Sequence, residues 1–151
     1  MNATVLPPAK LPGHITQFYD QFLALSGLRT TQFSILARLR RLGPMTINTL
    51  AADLVMDRTT LGRNILPLER DGLITVEKGS RDHRSKELRL TKAGAARFRA
   101  ATKRWTHAQR QFAAAFGVKR TVEMRALLHA VAATDLGTTA LGARGNPRPR
   151  G

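Results

Sequence analysis

The sequence predicts a mainly α-helical protein with one small β-hairpin, an α+β arrangement, and three observations carry that reading. Apolar residues recur at three- and four-residue intervals in most segments, as on one face of an α-helix. Residues 73–90 break this rhythm with two short β-forming stretches around a polar tip. Between Thr46 and Asp71, two short helical patterns are separated by little more than Met56-Asp57. With 151 residues, 42% of them hydrophobic, the chain suits one compact domain, or a small module with helical additions.

Pro7, Pro8 and Pro12 mark an irregular N-terminal arm. His14 to Leu25 then carries Ile15, Phe18, Tyr19 and Phe22 at helical spacing until Gly27 stops it. Thr30 or Thr31 is the expected cap of a second helix that is apolar on two sides, Phe33, Leu36 and Ala37 on one and Ile35, Leu39 and Leu42 on the other, as a central helix is. Gly43-Pro44 ends it. Thr46 fits the N-cap of a short third helix with Leu50, Ala51 and Leu54 as its buried stripe, and Met56-Asp57 makes the turn. Asp57 fits the N-cap of a fourth helix whose Leu61, Ile65 and Leu68 face the core. There Pro67 removes one backbone hydrogen bond and is expected to bend the last turns, and Asp71-Gly72 supplies a left-handed stop.

Strands are expected at Leu73 to Glu77 and Glu87 to Leu90, with Gly79 to Ser85 as an exposed tip. Thr91 caps a long helix running to about Phe116. In it Phe98, Trp105 and Phe112 stand seven residues apart, and Ala101, Ala108 and Ala115 follow three places after each. Such a seam permits close approach of a second helix, and it equally serves to cover a monomeric core. Gly117 breaks this helix, and Val122 to Asp135 is the expected last one, with Leu127, Leu128 and Val131 on one side. From Gly137 the chain reads as a flexible tail with a basic end.

Two short helices, a tight turn and a charged hairpin make a winged helix-turn-helix, here flanked by helices suited to dimerisation. The unit sets a helix N-terminus and a basic loop on one surface, which is the shape needed to grip a major groove and the adjoining minor groove of double-stranded DNA. With Leu61, Ile65 and Leu68 inward, Thr59 and Arg63 point outward at about 100° per residue, and Arg58 and Thr60 lie in the first turn beside them. An outward Arg there suits a bidentate contact to guanine, and free N–H groups favour phosphate. On the wing, Arg81, Arg84 and Lys86 bring cations to a narrow tip, with Asp82 placed to orient Arg84 for the minor groove. The expected DNA-binding residues are therefore Arg58, Thr59, Thr60, Arg63, Arg81, Asp82, Arg84 and Lys86. Taken singly, the helix reads as a solvated polar face and the hairpin as an ordinary charged one; their succession favours DNA.

The charge agrees. Twenty-five Lys and Arg against ten Asp and Glu leave a formal +15, which attracts any polyanion, and the docking element on which it falls selects nucleic acid. No apolar run reaches the roughly 18 residues of a membrane span, and MNATVLPPAKLPGH lacks the apolar core of a signal peptide, so no membrane partner and a cytoplasmic location are expected. Without cysteine there are no disulfides, thiolate metal sites or thiol redox sensors. His14, His83, His107 and His129 are scattered, and no glycine-rich phosphate loop or serine elbow is present. No metal, no cofactor and no enzymatic activity are expected.

Residues from about Leu28 to Phe116 resemble the MarR family of bacterial transcription regulators. Three segments carry the resemblance: Asp71-Gly72-Leu73-Ile74 closing the reading helix, Asp82-His83-Arg84 in the wing, and Leu88-Arg89-Leu90-Thr91-Lys92-Ala93-Gly94 leading into the long helix. The resemblance implies an obligate homodimer built by the N-terminal and last two helices, an inverted-repeat operator, and repression relieved by a small ligand, often a phenolic or other aromatic acid. Members that sense peroxide through cysteine are no guide here, since this chain has none.

The expected organisation is an arm and dimerisation helix over 1–27, a winged DNA-binding lobe over 28–91, long dimerisation and final helices over 92–136, and a basic tail over 137–151. An effector cleft is expected between lobe and dimerisation helices. Tyr19, Phe22, Phe33, Met45 and Trp105 are candidates for its wall, and His14, Arg41 or His107 for holding a carboxylate. The alternative function is a constitutive DNA-binding or architectural protein of the same fold with no effector.

Overall fold

Helix α1 (Leu11–Leu23) opens the computed structural model, which describes residues 11–136; the expected N-terminal arm up to residue 10 and the basic tail from 137 lie outside the described residues. The helix starts three residues earlier than the apolar pattern suggests and takes in Pro12, because a proline in the first turn loses no intrahelical hydrogen bond. A 3-10 turn at Ala24–Ser26 continues it, and Gly27, at φ +70°, ends it in the left-handed region.

Helix α2 (Thr30–Leu42) begins with Thr30 itself rather than being capped by it. The cap comes from another helix: Asp20 of α1 accepts hydrogen bonds from Thr30 N (2.7 Å) and Thr30 Oγ1 (2.8 Å). Phe33, Ile35, Leu36 and Leu39 are buried, as a central helix requires, whereas Leu42, expected inside, is exposed beside the closing Gly43.

Met45–Thr46 forms a two-residue strand, β1, which residue patterning does not reveal; two residues carry no alternation to detect. The sheet is therefore three-stranded and antiparallel, in the order β1-β3-β2, with β2 at Ile74–Lys78 and β3 at Lys86–Leu90. Met45 pairs with Leu88, and Val76 pairs with Leu88 from the other side, so the centre of β3 is fully buried.

Thr46 then caps α3 (Ile47–Asp53), accepting from Thr49 N at 3.1 Å, and Asp57 caps α4 (Arg58–Arg70), accepting from Thr60 N at 2.8 Å. Between them the chain reverses at Val55. Met56 N donates to Ala51 O and Val55 N to Ala52 O, the same closure that Gly72 gives α4, where Leu73 N reaches Leu68 O and Gly72 N reaches Glu69 O. At φ +50° a β-branched side chain stands where glycine is the usual choice, and it stands almost entirely in solvent.

Thr91 caps the long α5 (Lys92–Phe116), and α6 (Val118–Ala133) follows directly from Gly117, four residues before the expected start at Val122. The aromatic seam of α5 is satisfied within the chain. Phe98 and Trp105 stack on Phe33 of α2, Trp105 also stacks on Tyr19 of α1, and Phe112 meets Phe18. Fully buried Ala101 and Ala108 allow that close approach, while Ala115 is exposed.

Gly94 joins α5 to the sheet. Thr91 Oγ1 donates to Gly72 O (2.6 Å) and accepts from Gly94 N (2.9 Å), which draws the first turn of α5 against the Leu73 carbonyl. A Cβ on Gly94 would collide with that backbone oxygen, which has no flexible side chain to yield. Gly94→Ala should therefore destabilise the fold by about 1–3 kcal/mol, the usual range for overpacking, read as a lower urea midpoint; an unchanged midpoint would refute the close packing.

Candidate nucleic-acid interface

Leu61, Ile65 and Leu68 are buried at the spacing that commits one face of α4 to the core, and Arg58, Thr59, Thr60 and Arg63 are accordingly exposed on the other. The four differ in freedom. Thr60 donates from its hydroxyl to Asp57 Oδ2 at 2.6 Å, so its proton is committed to the cap. Arg58 and Arg63 form no ion pair among the described residues and remain available to a partner.

The wing is built differently from expectation at one point. Asp82 does not hold the Arg84 guanidinium; its carboxylate accepts from the Arg84 backbone N–H at 2.9 Å, and its carbonyl accepts from Ser85 N (3.0 Å) and Ser85 Oγ (2.8 Å). Asp82 thus shapes the loop backbone and positions Arg84 only through it. Gly79 closes the loop, since a Cβ there would lie 2.6 Å from Asp82 O. At the base of the wing Glu77 pairs with Glu87 across the strands, and Arg89 relieves the repulsion, with Nε 3.0 Å from Glu77 Oε2 and an NH2 group 3.2 Å from Glu87 Oε2. Arg81, Arg84 and Lys86 are all exposed toward the tip.

Folding brings Arg58, Arg84 and Lys86 together. They line a groove of about 350 Å³ with Thr46, Asn48 and Ser85, between the starts of α3 and α4 and the tip-side end of the wing, and no acidic residue lines it. Asn48 escaped sequence reasoning because nothing in the third helix alone places it opposite the wing. A second cleft, on the outward side of α4, gathers Arg29, Gln32, Arg63, Asn64 and Arg70, of which only Arg63 was expected at a site. The signal for Arg29 lies in the α2 N-terminus, which packs beside α4 only after folding.

Of the residues expected to wall an aromatic pocket, Tyr19, Phe33 and Trp105 stack together as core, Met45 is buried in β1 beside Leu88, and Phe22 lies against His107. Of the candidate carboxylate holders, His107 alone lines a described cleft, between the Ala24–Ser26 turn and α5.

The order of elements and this cationic surface define a winged helix-turn-helix protein carrying an added helical layer. Known proteins narrow the class. The MarR family profile matches residues 28–86. The Mycobacterium tuberculosis transcriptional regulator MosR, solved in complex with DNA, is 35% identical, with 82% of this chain and 92% of that chain covered and a TM-score of 0.66. A probable transcriptional regulator from Pseudomonas aeruginosa is 27% identical, covering 80% of this chain and 93% of its own, with a TM-score of 0.70. A mutant MarR from E. coli complexed with operator DNA shares the fold at a TM-score of 0.72, with 19% identity over 80% of this chain and 87% of that one. No curated protein matches. The chain belongs to the MarR family of DNA-binding transcriptional regulators. Among the described residues no helix is long and apolar enough to cross a membrane.

Asp57 ties the helix start to a measurable titration. The Thr60 hydroxyl first, and the Thr60 N–H after it, hold the Asp57 carboxyl below its ordinary range. A depressed folded value means that this cap stabilises fully above the unfolded pKa and is lost as pH falls through the lower folded one. Carboxyl NMR should show Asp57 titrating below an unstructured aspartate, and Thr60→Val should move the midpoint back up. No movement would show that the hydroxyl bond is not what holds it.

Proposed function

We propose that this protein is a homodimeric repressor without catalytic activity that reads an inverted-repeat operator and is released by a small ligand. Each lobe sets the start of α4 into a major groove and its wing beside the adjoining minor groove. The observation that carries the DNA contact is the acid-free groove where Arg58, Arg84 and Lys86 converge. Three cations from two elements suit one or two phosphates, while Arg63, exposed and unpaired one turn further along α4, suits a base edge. That relatives were solved with DNA, MosR among them, supports the same use of this surface.

Dimerisation draws its support from α6 rather than from the α5 seam. Val118, Val122, Leu127 and Val131 are each more than half exposed, although an isolated helix at the edge of a small protein gains nothing by presenting them to water. For the ligand, one observation favours the constitutive alternative: three of the four rings expected to wall an aromatic-acid pocket, Tyr19, Phe33 and Trp105, are stacked together.

Light scattering should report a dimer at micromolar concentration, and a Leu127→Asp, Val131→Asp double variant should be a folded monomer by circular dichroism. A wild-type monomer would remove the basis for operator symmetry.

On DNA, the helix and wing variants should part. Arg63→Ala should cost about 1–3 kcal/mol on the selected operator and much less on scrambled duplex. Arg84→Ala should weaken both by similar factors and lower the slope of log affinity against log salt by about one unit per lobe. Titrations of both variants against the two duplexes decide between these roles, and an Arg84→Ala protein that binds like wild type would make the wing a bystander.

A further inference from the structure

A cleft of about 770 Å³ opens between the Ala24–Ser26 turn and α5, lined on the helix side by Arg97, Lys103, Arg104 and His107 and on the turn side by Ser26 and Gly27. We infer that it is a regulatory site for a small organic anion carrying two or more negative charges. The inference rests on the reading of this protein as a ligand-released DNA-binding regulator, and it names the site and the ligand class.

Charge is the first ground. The four basic residues fall on one face of α5, no Asp or Glu lines the cleft, and Arg97, Lys103 and Arg104 form no ion pair among the described residues. A solvated cationic face would account for the composition in a chain of net charge +15. It does not account for the concavity, nor for Arg97, which is half-buried and donates to Ser26 O at 3.2 Å. That bond holds the guanidinium in place before any ligand arrives, which reduces the ordering cost of binding. Chemistry is the second ground. No Phe, Tyr or Trp ring lines the cleft, and its apolar residues are Leu25 and Ala100, so a flat aromatic monocarboxylate finds little beyond the His107 imidazole to stack on. A compact polyanion finds donors on several sides.

Position is the third. Gly27 lines this cleft and also the cleft on the far side that holds Arg63, Asn64 and Arg70 of the reading helix. Arg97 Nη1 lies 3.0 Å from where a Gly27 Cβ would stand, so the shared wall is tight. An anion that draws Ser26 and Gly27 toward α5 alters the wall facing α4, and a difference in affinity between those two arrangements is what couples ligand to DNA.

Calorimetry at fixed ionic strength, with succinate and pyrophosphate as probes and benzoate as comparator, tests the site without DNA. Wild-type protein should bind at least one of the two polyanions saturably, one per chain. The exposed pair Lys103→Ser, Arg104→Ser should weaken binding about tenfold or more, and the DNA-face pair Arg58→Ser, Arg84→Ser should leave it within about twofold. Binding of pyrophosphate alone assigns a phosphoryl ligand, and binding of succinate alone a dicarboxylate. Retention in the cleft variant, equal loss in the DNA-face variant, or tighter binding of benzoate overturns the proposal. The bound polyanion should also lower operator affinity about 5- to 150-fold in wild type and not in the cleft variant; an unchanged affinity overturns the regulatory role. A wild-type protein that gives no footprint at all would fault the proposed function and not the calorimetric site.

Discussion

Trp105 lies between Tyr19, 4.2 Å from it, and Phe33, 5.1 Å from it, and Phe33 extends the stack to Phe98 at 5.2 Å. The rings belong to α1, α2 and α5, so one column of π-surface ties three helices together, beside the Asp20–Thr30 and Arg97–Ser26 hydrogen bonds. Such pairs contribute about 0.5–1.5 kcal/mol each beyond their burial, and the small Ala101 and Ala108 on the same helix let the backbones close around them. The column reaches α6 as well. Burial raises the pKa of Tyr19, and Arg125 of α6 opposes the rise by charge and hydrogen bonding while also donating to Gln109 at 2.9 Å. The column is thus one of the contacts through which the winged lobe and the helical layer are held together.

Much of this was legible from residue order. The buried triplet Leu61, Ile65 and Leu68, the caps Thr46, Asp57 and Thr91, and the stop at Gly72 are local devices, and local devices write themselves into short spacings. The outward placement of Arg63 follows from the same arithmetic. What escaped depends on contacts between distant segments. Strand β1 exists because Met45 meets Leu88, and the cap of α2 is Asp20, ten residues away in another helix. Val55 was invisible as a turn residue for the opposite reason, since a β-branched side chain argues against the left-handed conformation it adopts. The α5 seam was visible and yet ambiguous, because a heptad of rings records that a surface is covered and not which chain covers it.

The candidate site shows the same division. Helix and wing each supply cations that the sequence displays, but the groove shared by Arg58, Arg84 and Lys86 is a product of folding. The wing also sorts its charge by height. Arg89 is spent neutralising Glu77 and Glu87 at the base, and the unpaired cations stand nearer the tip. A potential focused at the end of a narrow projection is stronger at a groove than the same charge spread evenly would be.

The Asp20 carboxylate accepts from both the N–H and the hydroxyl of Thr30, so the first turn of α2 is completed partly by α1, alongside Gln32 of α2, whose side chain accepts from Arg29 N at 3.0 Å. A shift of α1 that breaks these bonds leaves the start of α2 held by the Gln32–Arg29 bond, and Arg29 and Gln32 border the cleft beside α4. Fraying there is a change in helix length rather than in rigid-body angle. The lobe is thus geared to its neighbouring layer by a clutch of two hydrogen bonds, able to transmit displacement up to a threshold and to slip beyond it.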